Sequence, residues 1–324
     1  PQGANMILER LEQAGFAAYV VGGCVRDSLL GKVPHDWDVC TSARPEQVQD
    51  CFRDFRVLET GIRHGTVTVL AGQEPYEITT FRVESAYSES RHPDSVTFVR
   101  RVEDDLARRD FTVNAMAYSP SRGLVDLFDG QGDLRRERIR CVGEADLRFQ
   151  EDALRILRAL RFASTYGFRV EEETARSVHQ NRGLLRKIAP ERIRVELEKL
   201  LDGVGAEEIL REYADVICTV IPELAPLLDF DQKNPHHIYT VWEHTIHAVG
   251  AARSGTLARL CLLLHDIGKP ACCTEDDRGV RHFYGHPEKG AEIAEEILRR
   301  LRFDAETIRR VTEIVRVHDS AIGS

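Results

Sequence analysis

The sequence predicts an α+β protein: a small mixed sheet over residues 1–135, an all-helical middle over 136–228 and an all-helical end over 229–324. Three observations carry this. Alternating or β-branched runs broken by Gly, Pro and polar turns are confined to the first third of the chain. Beyond it, apolar residues recur at helical spacing instead. Pro222, Pro226 and Pro235 then mark the second boundary.

The opening MILERLEQAGF places Ile7, Leu8, Leu11 and Ala14 on one face of a helix that stops at Gly15. Strands are expected at Tyr19–Gly22, Asp36–Thr41, Thr66–Leu70, Tyr76–Phe81 and Ser95–Val99, with a mobile surface loop in the polar stretch ESAYSESRHPD between the last two. DLARRDFTVNAMAYS reads as a helix start and a further strand, and LVDLFDGQGDLRRERI as a turn out of the sheet at Gly130 and Gly132. Helices follow in EDALRILRALRFASTYGF, with Leu154, Ile156, Leu157, Leu160 and Phe162 at helical spacing, and over Glu173–Asn181 and Pro190–Leu201. A last helical block contains WEHTIHAV, LCLLLHDIG, GAEIAEEILRRL and ETIRRVTEIVRV.

Within this plan one stretch concentrates chemistry, AYVVGGCVRDSLLGKVPHDWDVCTS. Gly22 and Gly23 let the backbone pass close to a ligand, and a helix opening directly after them points free N–H groups at an anion such as a polyphosphate. In a strand, Asp36 and Asp38 share one face about 7 Å apart, a pair of hard oxygen ligands suited to Mg²⁺. An Asp-x-Asp alone is commonplace. Set a dozen residues after a Gly-Gly-helix turn, it reads as a site, and Glu77, on a strand expected beside it, is a candidate third carboxylate. The chain has neither G-x-x-x-x-G-K-[ST] nor G-x-G-x-x-G, which excludes a P-loop protein and a dinucleotide-binding dehydrogenase.

Composition sets the setting. The 324 residues are 42% hydrophobic, ample for two or three cored domains. A net charge of -9 argues against a protein uniformly coated for nucleic acid, while Arg135, Arg136, Arg138 and Arg140, and Arg182, Arg186, Lys187, Arg192 and Arg194, form local patches able to meet a phosphate backbone. Eight cysteines without a C-x-x-C pair look like reduced core thiols. With no charged-then-apolar leader and no apolar run long enough for a bilayer, they predict a cytoplasmic protein without membrane contact.

The motifs GGCVRD, HDWDVCTSA, GIRHGTVTV, EITTFR, RRDFTVNAMAY, DLFDGQGDL, EDALRILRALRF and APERIRVELEKLL, in this order over residues 15 to 201, resemble the class II tRNA nucleotidyltransferases, the CCA-adding enzymes. The resemblance implies a nucleotidyltransferase head followed by a helical neck and body. It implies that Gly22, Gly23 and Arg26 contact a triphosphate, that Asp36 and Asp38, joined by Glu77, hold Mg²⁺ for two-metal nucleotidyl transfer, and that Arg109, Asp110 and Asn114 surround the ribose. Partners would be the 3' acceptor end of tRNA, CTP and ATP, with a homodimer as a further expectation. On one helix Asp152 and Arg155 would set an acceptor and a donor side by side, matching the Watson–Crick edges of cytosine and adenine. Uracil and guanine would leave buried polar groups unpaired at roughly 1–3 kcal/mol each. Arg158, one turn on, joins this nucleotide-binding set. A bacterial poly(A) polymerase shares the head, but GIRHGTV resembles the tRNA enzymes better, and Glu84–Asp94 looks too long for a CC-adding enzyme, which leaves CCA addition or, as the alternative, an A-adding enzyme.

The final block resembles an HD domain: His244, the pair His265-Asp266, His286 and a closing Asp319 run in the order H…HD…H…D. Imidazoles with carboxylates suit Ni²⁺, Co²⁺, Mn²⁺ or Mg²⁺. The resemblance implies a phosphohydrolase acting on 2',3'-cyclic or terminal phosphates. The competing expectation is a domain without catalysis that grips tRNA or forms a dimer; a retained His265-Asp266 favours the enzyme.

Overall fold

The computed structural model describes the chain except at residues 1, 60, 89–91, 234–238, 254 and 320–324, and describes 84–88 and 92–95 by backbone alone. Pro235 of the expected boundary thus lies outside the described residues. Contacts divide the chain into two compact units, Pro1–Asp152 and Ala153–Ser324.

The first unit opens with helix α1 (Gln2–Gln13), whose Ala4, Ile7, Leu8 and Leu11 are buried. Ala14 lies beyond its end and is exposed, so Ala4 completes the apolar face instead. Next come β1 (Ala18–Val21), α2 (Gly23–Leu29), β2 (Val39–Thr41), α3 (Pro45–Cys51), β3 (Arg56–Leu58), β4 (Thr66–Ala71) and β5 (Glu74–Thr80). After β6 (Arg82–Ser88), β7 (His92–Phe98), α4 (Val102–Ala107), β8 (Met116–Ser119) and β9 (Gly123–Asp126), the unit closes with α5 (Gly130–Arg135), the short β10 (Arg138–Ile139) and α6 (Ala145–Glu151).

Seven strands form the main sheet in the order β3-β4-β5-β2-β1-β8-β9. The pairing that matters for function is β2 with β5, parallel, with Val39 opposite Ile78 and Thr41 opposite Thr80. One face of the sheet packs Tyr19, Val21, Cys40, Phe81 and Ala117 against Val102 and Leu106, the last two from α4. Tyr19 and Val21, two apart on β1, share this face by the 2.0-residue strand period, and the residues between and beside them are buried as well.

Three local expectations give way. Asp36 and Asp38 precede β2, which begins at Val39, although Val21 N–H still donates to the Asp38 carbonyl at 3.0 Å. Pro34 cannot donate to a ladder, and the residues after it reach the sheet only by degrees. Of the stretch 84–94, residues 84–88 and 92–94 belong to β6 and β7, which pair antiparallel from Arg82 opposite Phe98 to Ser88 opposite His92 as a separate ribbon, while 89–91 lie outside the described residues. A ribbon needs only backbone pairing, so the missing apolar period was no argument against it. Gly130 and Gly132 lie in α5 rather than in a turn, because the Asp126 carboxylate accepts from the N–H groups of Gly130 (2.7 Å) and Gln131 (2.9 Å) and so starts a helix.

The second unit contains α7 (Leu154–Tyr166), β11 (Arg169–Val170), α8 (Glu172–Asn181), α9 (Pro190–Asp202), α10 (Ala206–Glu212), α11 (Ala214–Val220), α12 (Val241–Ala251), α13 (Thr256–Leu264), β12 (Thr274–Glu275), β13 (Arg281–His282), α14 (His286–Arg300) and α15 (Ala305–Val317). Pro222 and Pro226 fall in a 3₁₀ turn over Pro222–Leu227. Here too one strand pair interrupts the helical expectation. Thr274 faces His282 and Glu275 faces Arg281 around a turn in which the Asp276 carboxylate accepts from Arg278 N–H (2.9 Å) and Val280 N–H (3.0 Å). The Asp276-Asp277-Arg278-Gly279 signal was legible, with Gly279 at φ 76°.

Burial is chemical as well as steric. The Cys24 thiol is pushed up to about 11 by burial first and then by the Asp38 charge, and burial drives Cys40 well above the ordinary thiol range. Since the thiolate is the nucleophile, both thiols resist iodoacetamide at pH 8 in the folded protein and react once it is denatured, a difference read by mass spectrometry of the two peptides.

Candidate functional site

In the first unit the Gly22 turn organises one group of side chains. Gly22 sits at φ 77°, ψ -126°, with its N–H donating to the Met116 carbonyl at 3.0 Å. A Cβ there would lie 3.1 Å from Arg109 Nη1 as well as in the left-handed region, so glycine is required twice over. Arg26, buried on α2, donates from Nη1 to Asn114 Oδ1 (2.6 Å) and from Nε to Asp27 Oδ1 (2.9 Å). Asn114 in turn donates from Nδ2 to Asp110 Oδ1 (3.2 Å), which also accepts the Phe111 N–H (2.8 Å). The RRDFTVN motif and the Gly-Gly turn are therefore one assembly.

What fixes Arg109 is a residue the sequence reading passed over. Asp105 on α4 is 0% exposed. Its Oδ1 accepts from Arg108 Nη2 (3.0 Å) and the Arg82 N–H (3.2 Å), and its Oδ2 from Arg109 Nη2 (3.3 Å). The run EDD at the start of a helix, three residues before Arg-Arg, was its signal.

Asp38 and Glu77 end up as neighbours because β2 and β5 run parallel with Val39 opposite Ile78. Although Asp38 keeps access to solvent, the protein packed around its carboxyl raises its pKa, the Glu77 charge adds to this, Arg109 opposes it and Asp36 adds again. Asp36, Asp38 and Glu77 are all exposed. They do not form a group of three donors all within 4.8 Å of one another. Crowded like charges open to water fit Mg²⁺, which takes one or two protein carboxylates and completes its shell with water and phosphate oxygens.

Asp152 and Arg155 do not share a helix. Asp152 ends α6 in extended conformation (φ -141°, ψ 104°), and Arg155, buried, lies in the first turn of α7. The spacing argument for a paired acceptor and donor therefore lapses, since i,i+3 contact requires continuous helix. Arg158 on α7 stands 3.9 Å from the buried Glu196 carboxylate and 5.3 Å from the Phe162 ring centre.

In the second unit four imidazoles converge on one carboxylate. Asp266 is 2% exposed. Its Oδ2 lies 3.2 Å from His265 Nε2 and 3.6 Å from His244 Nε2, and its Oδ1 lies 3.4 Å from His286 Nε2 and 3.5 Å from His318 Nε2. The facing ring nitrogens are 3.3 Å apart in both pairs, His265 with His244 and His286 with His318. His265, His286 and His318 each donate from Nδ1 to the carbonyl three residues back, of Leu262 (2.6 Å), Phe283 (2.8 Å) and Val315 (2.7 Å). A carbonyl only accepts, so Nδ1 carries the proton and the Nε2 lone pair faces inward.

The His286 and His318 lone pairs, opposed at 3.3 Å beside a carboxylate, repel unless a cation lies among them. Ligands at about 2.1 Å from one ion stand roughly 3.0–3.4 Å apart, which these separations match. Lys269, also buried, places Nζ 2.7 Å from Asp266 Oδ2 and 3.0 Å from Gln232 Oε1. All of this lines a cavity of about 530 Å³. Asp319 lines the same cavity but is exposed and stands in neither donor group; His318, one residue earlier, does. The second HD dipeptide, in VHDS, was the available sign.

Comparison with known proteins gives three matched families: "Poly A polymerase head domain" over residues 18–140, "Probable RNA and SrmB- binding site of polymerase A" over 167–228 and "HD domain" over 236–322. The CCA-adding enzyme of Lactobacillus delbrueckii is 52% identical over 210 residues, 65% of this chain and 52% of that protein. That of Leuconostoc mesenteroides is 48% identical over 250 residues, 75% of this chain and 62% of its own length. The chain thus spans about half the length of the curated relatives it matches first. The crystal structure of the Bacillus stearothermophilus CCA-adding enzyme in complex with CTP superposes with a TM-score of 0.71 at 33% identity, covering 98% of this chain and 70% of that one. The Thermotoga maritima enzyme complexed with tRNA gives 0.63 at 25%, covering 97% and 68%.

If the imidazoles are arranged for an ion, His318→Ala lowers metal content of the purified protein at least tenfold under limiting Ni²⁺ or Mn²⁺, while Asp319→Ala lowers it less. Elemental analysis of the two variants beside the parent decides; an equal loss in both would restore Asp319 as an equivalent ligand.

Proposed function

The chain belongs to the CCA-adding enzyme family, and from that premise we propose that it adds or repairs the 3'-terminal CCA of tRNA from CTP and ATP, with a metal-dependent phosphohydrolase attached. The observation that carries the first activity is the Asp38–Glu77 adjacency across the parallel β2–β5 pair, with Asp36 two residues away and the Gly22–Arg26–Arg109–Asn114 assembly in the same unit. Asp36 and Asp38, joined by Glu77, would hold Mg²⁺. Bound there, Mg²⁺ supplies charge neutralisation to the attacking and leaving oxygens of an in-line displacement. The open Gly22–Gly23 backbone admits the triphosphate, Arg26 offsets its charge, and Arg109, Asp110 and Asn114 surround the ribose. The roles of Asp152, Arg155 and Arg158 toward cytosine and adenine rest on family resemblance alone. The relatives named CCA-adding enzymes support CCA addition over an A-adding enzyme or a poly(A) polymerase.

Three domains are read within the two units: a head to residue 135, a neck and body to 228 and an HD domain from 229, close to the spans that the three families match. The HD site would hold one divalent ion with His244, His265 and Asp266 and a second with Asp266, His286 and His318, the two oxygens of one carboxylate serving both groups. Nitrogen-rich donors favour Ni²⁺, Co²⁺ or Mn²⁺ over Mg²⁺. Such ions supply Lewis acidity and a lowered pKa for water. Lys269 balances the local charge, and the cavity receives a 2',3'-cyclic or terminal phosphate left on a damaged tRNA end. A cytoplasmic setting accords with eight unpaired cysteines and with the absence, among the described residues, of a helix long and apolar enough to cross a membrane.

The head is tested with tRNA transcripts ending before CCA, after one C and after CC, each offered single nucleoside triphosphates. The parent adds C, C and A in turn, and Asp36→Ala or Asp38→Ala abolishes addition with the fold intact. Near-normal incorporation by either variant in Mg²⁺ would sink the active-site assignment.

The HD site is tested by His265→Ala, which removes bound metal and phosphodiesterase activity yet leaves CCA addition within about tenfold of the parent, or 1.4 kcal/mol. A parent protein that hydrolyses no cyclic phosphate with Ni²⁺, Co²⁺, Mn²⁺ or Mg²⁺ would leave this domain as a binding module.

A further inference from the structure

At the mouth of the polyhistidine cavity lies an aromatic arrangement that metal ligation does not use. Tyr284 is 80% exposed. Its ring stacks on that of His282, with centroids 5.5 Å apart and planes inclined by 6°. His282 is itself held: it ends β13, pairs with Thr274 across the ladder and donates from Nε2 to Asp276 Oδ2 at 3.0 Å. Both rings line the same cavity as His265 and His286.

We propose that Tyr284 is a stacking platform for a nucleobase, and hence the residue by which this site selects a nucleotide end over a small phosphoester. The proposal rests on the phosphohydrolase reading and deepens it. A tyrosine flanked by one parallel ring and 80% exposed presents a face to solvent, and a planar base is the partner that such a face accepts at little entropic cost, because Asp276 already holds the neighbouring His282 in place. The span is right as well. Gly285, at φ 77°, turns the chain from Tyr284 into His286, the first residue of α14. At most about 7 Å of backbone separates the platform from an inward-facing imidazole, within reach of one nucleotide. The cavity wall adds cations for the phosphate, Lys269 and Arg316. At about 530 Å³ it has the size of a small-ligand site.

The test compares two five-membered cyclic phosphodiesters on the full chain loaded with Mn²⁺ or Ni²⁺: adenosine 2',3'-cyclic phosphate, and glycerol 1,2-cyclic phosphate, which has no base. Tyr284→Ala is expected to raise KM for the adenosine substrate about tenfold. Its kcat, its metal content and its kinetics toward the glycerol compound stay unchanged, and Tyr284→Phe keeps parental KM because stacking needs the ring and not the hydroxyl. Equal loss on both substrates, or loss on neither, overturns the proposal. Should the parent hydrolyse neither compound, the hydrolase reading fails by itself, and calorimetric titration with adenosine 3'-phosphate judges the platform. A binding component present in the parent and missing from Tyr284→Ala supports it; identical isotherms refute it.

Discussion

Each unit is organised around a carboxylate taken out of water, Asp105 in the first and Asp266 in the second. A buried charge is tolerated only when its partners replace what water supplied, and the two carboxylates are partnered in opposite ways. Asp105 is satisfied by protein alone: two guanidinium groups and a backbone N–H fill its oxygens. It is a structural anion, and its consequence is positional. By holding Arg109 against the Gly22 turn it gives the head a fixed cation on the side of Asp38, whose own carboxyl responds to that charge. Asp266 is ringed instead by imidazole nitrogens whose protons are committed elsewhere. Three of the four imidazoles bring it lone pairs, an arrangement that suits an ion.

This difference explains which parts were legible in sequence. The Gly-Gly turn, the β2–β5 neighbourhood and the cluster of His244, His265, Asp266 and His286 were readable because each follows from short-range spacing or from a motif with its own chemistry. Asp105 was hidden, because a carboxylate in a helical first turn looks like ordinary N-terminal charge until the fold shuts water out. His318 was hidden by its neighbour Asp319, since the two are adjacent in sequence and helix geometry sends adjacent side chains about 100° apart. The break at Asp152 was hidden for a third reason: apolar periodicity in Leu154, Ile156, Leu157 and Leu160 fixes where a helix runs but not where it starts.

The β6–β7 ribbon and the β12–β13 turn share one lesson. Both are antiparallel pairings of near neighbours held by a backbone ladder, and in the second the Asp276 carboxylate also fixes the turn. A reading that demands hydrophobic alternation discards them, and in the second case discards the segment that carries His282 and Tyr284 to the cavity. Turn signals such as Asp276-Asp277-Arg278-Gly279 deserve equal weight with periodicity where a site is being sought.

The two donor sets also sort metals within one polypeptide. Exposed carboxylate oxygens with room for water suit a hard, well-hydrated ion, and Mg²⁺ dehydrates reluctantly enough that such an open site serves it better than a closed one. Inward Nε2 atoms with one buried carboxylate suit borderline ions, whose affinity for nitrogen rises along the first transition series. Neither site needs to exclude the other's metal by size. On the proposed reading an abundant hard ion would fill the head and a scarce transition ion the imidazole cluster, so that the two proposed reactions would each draw on the ion that its ligand chemistry selects.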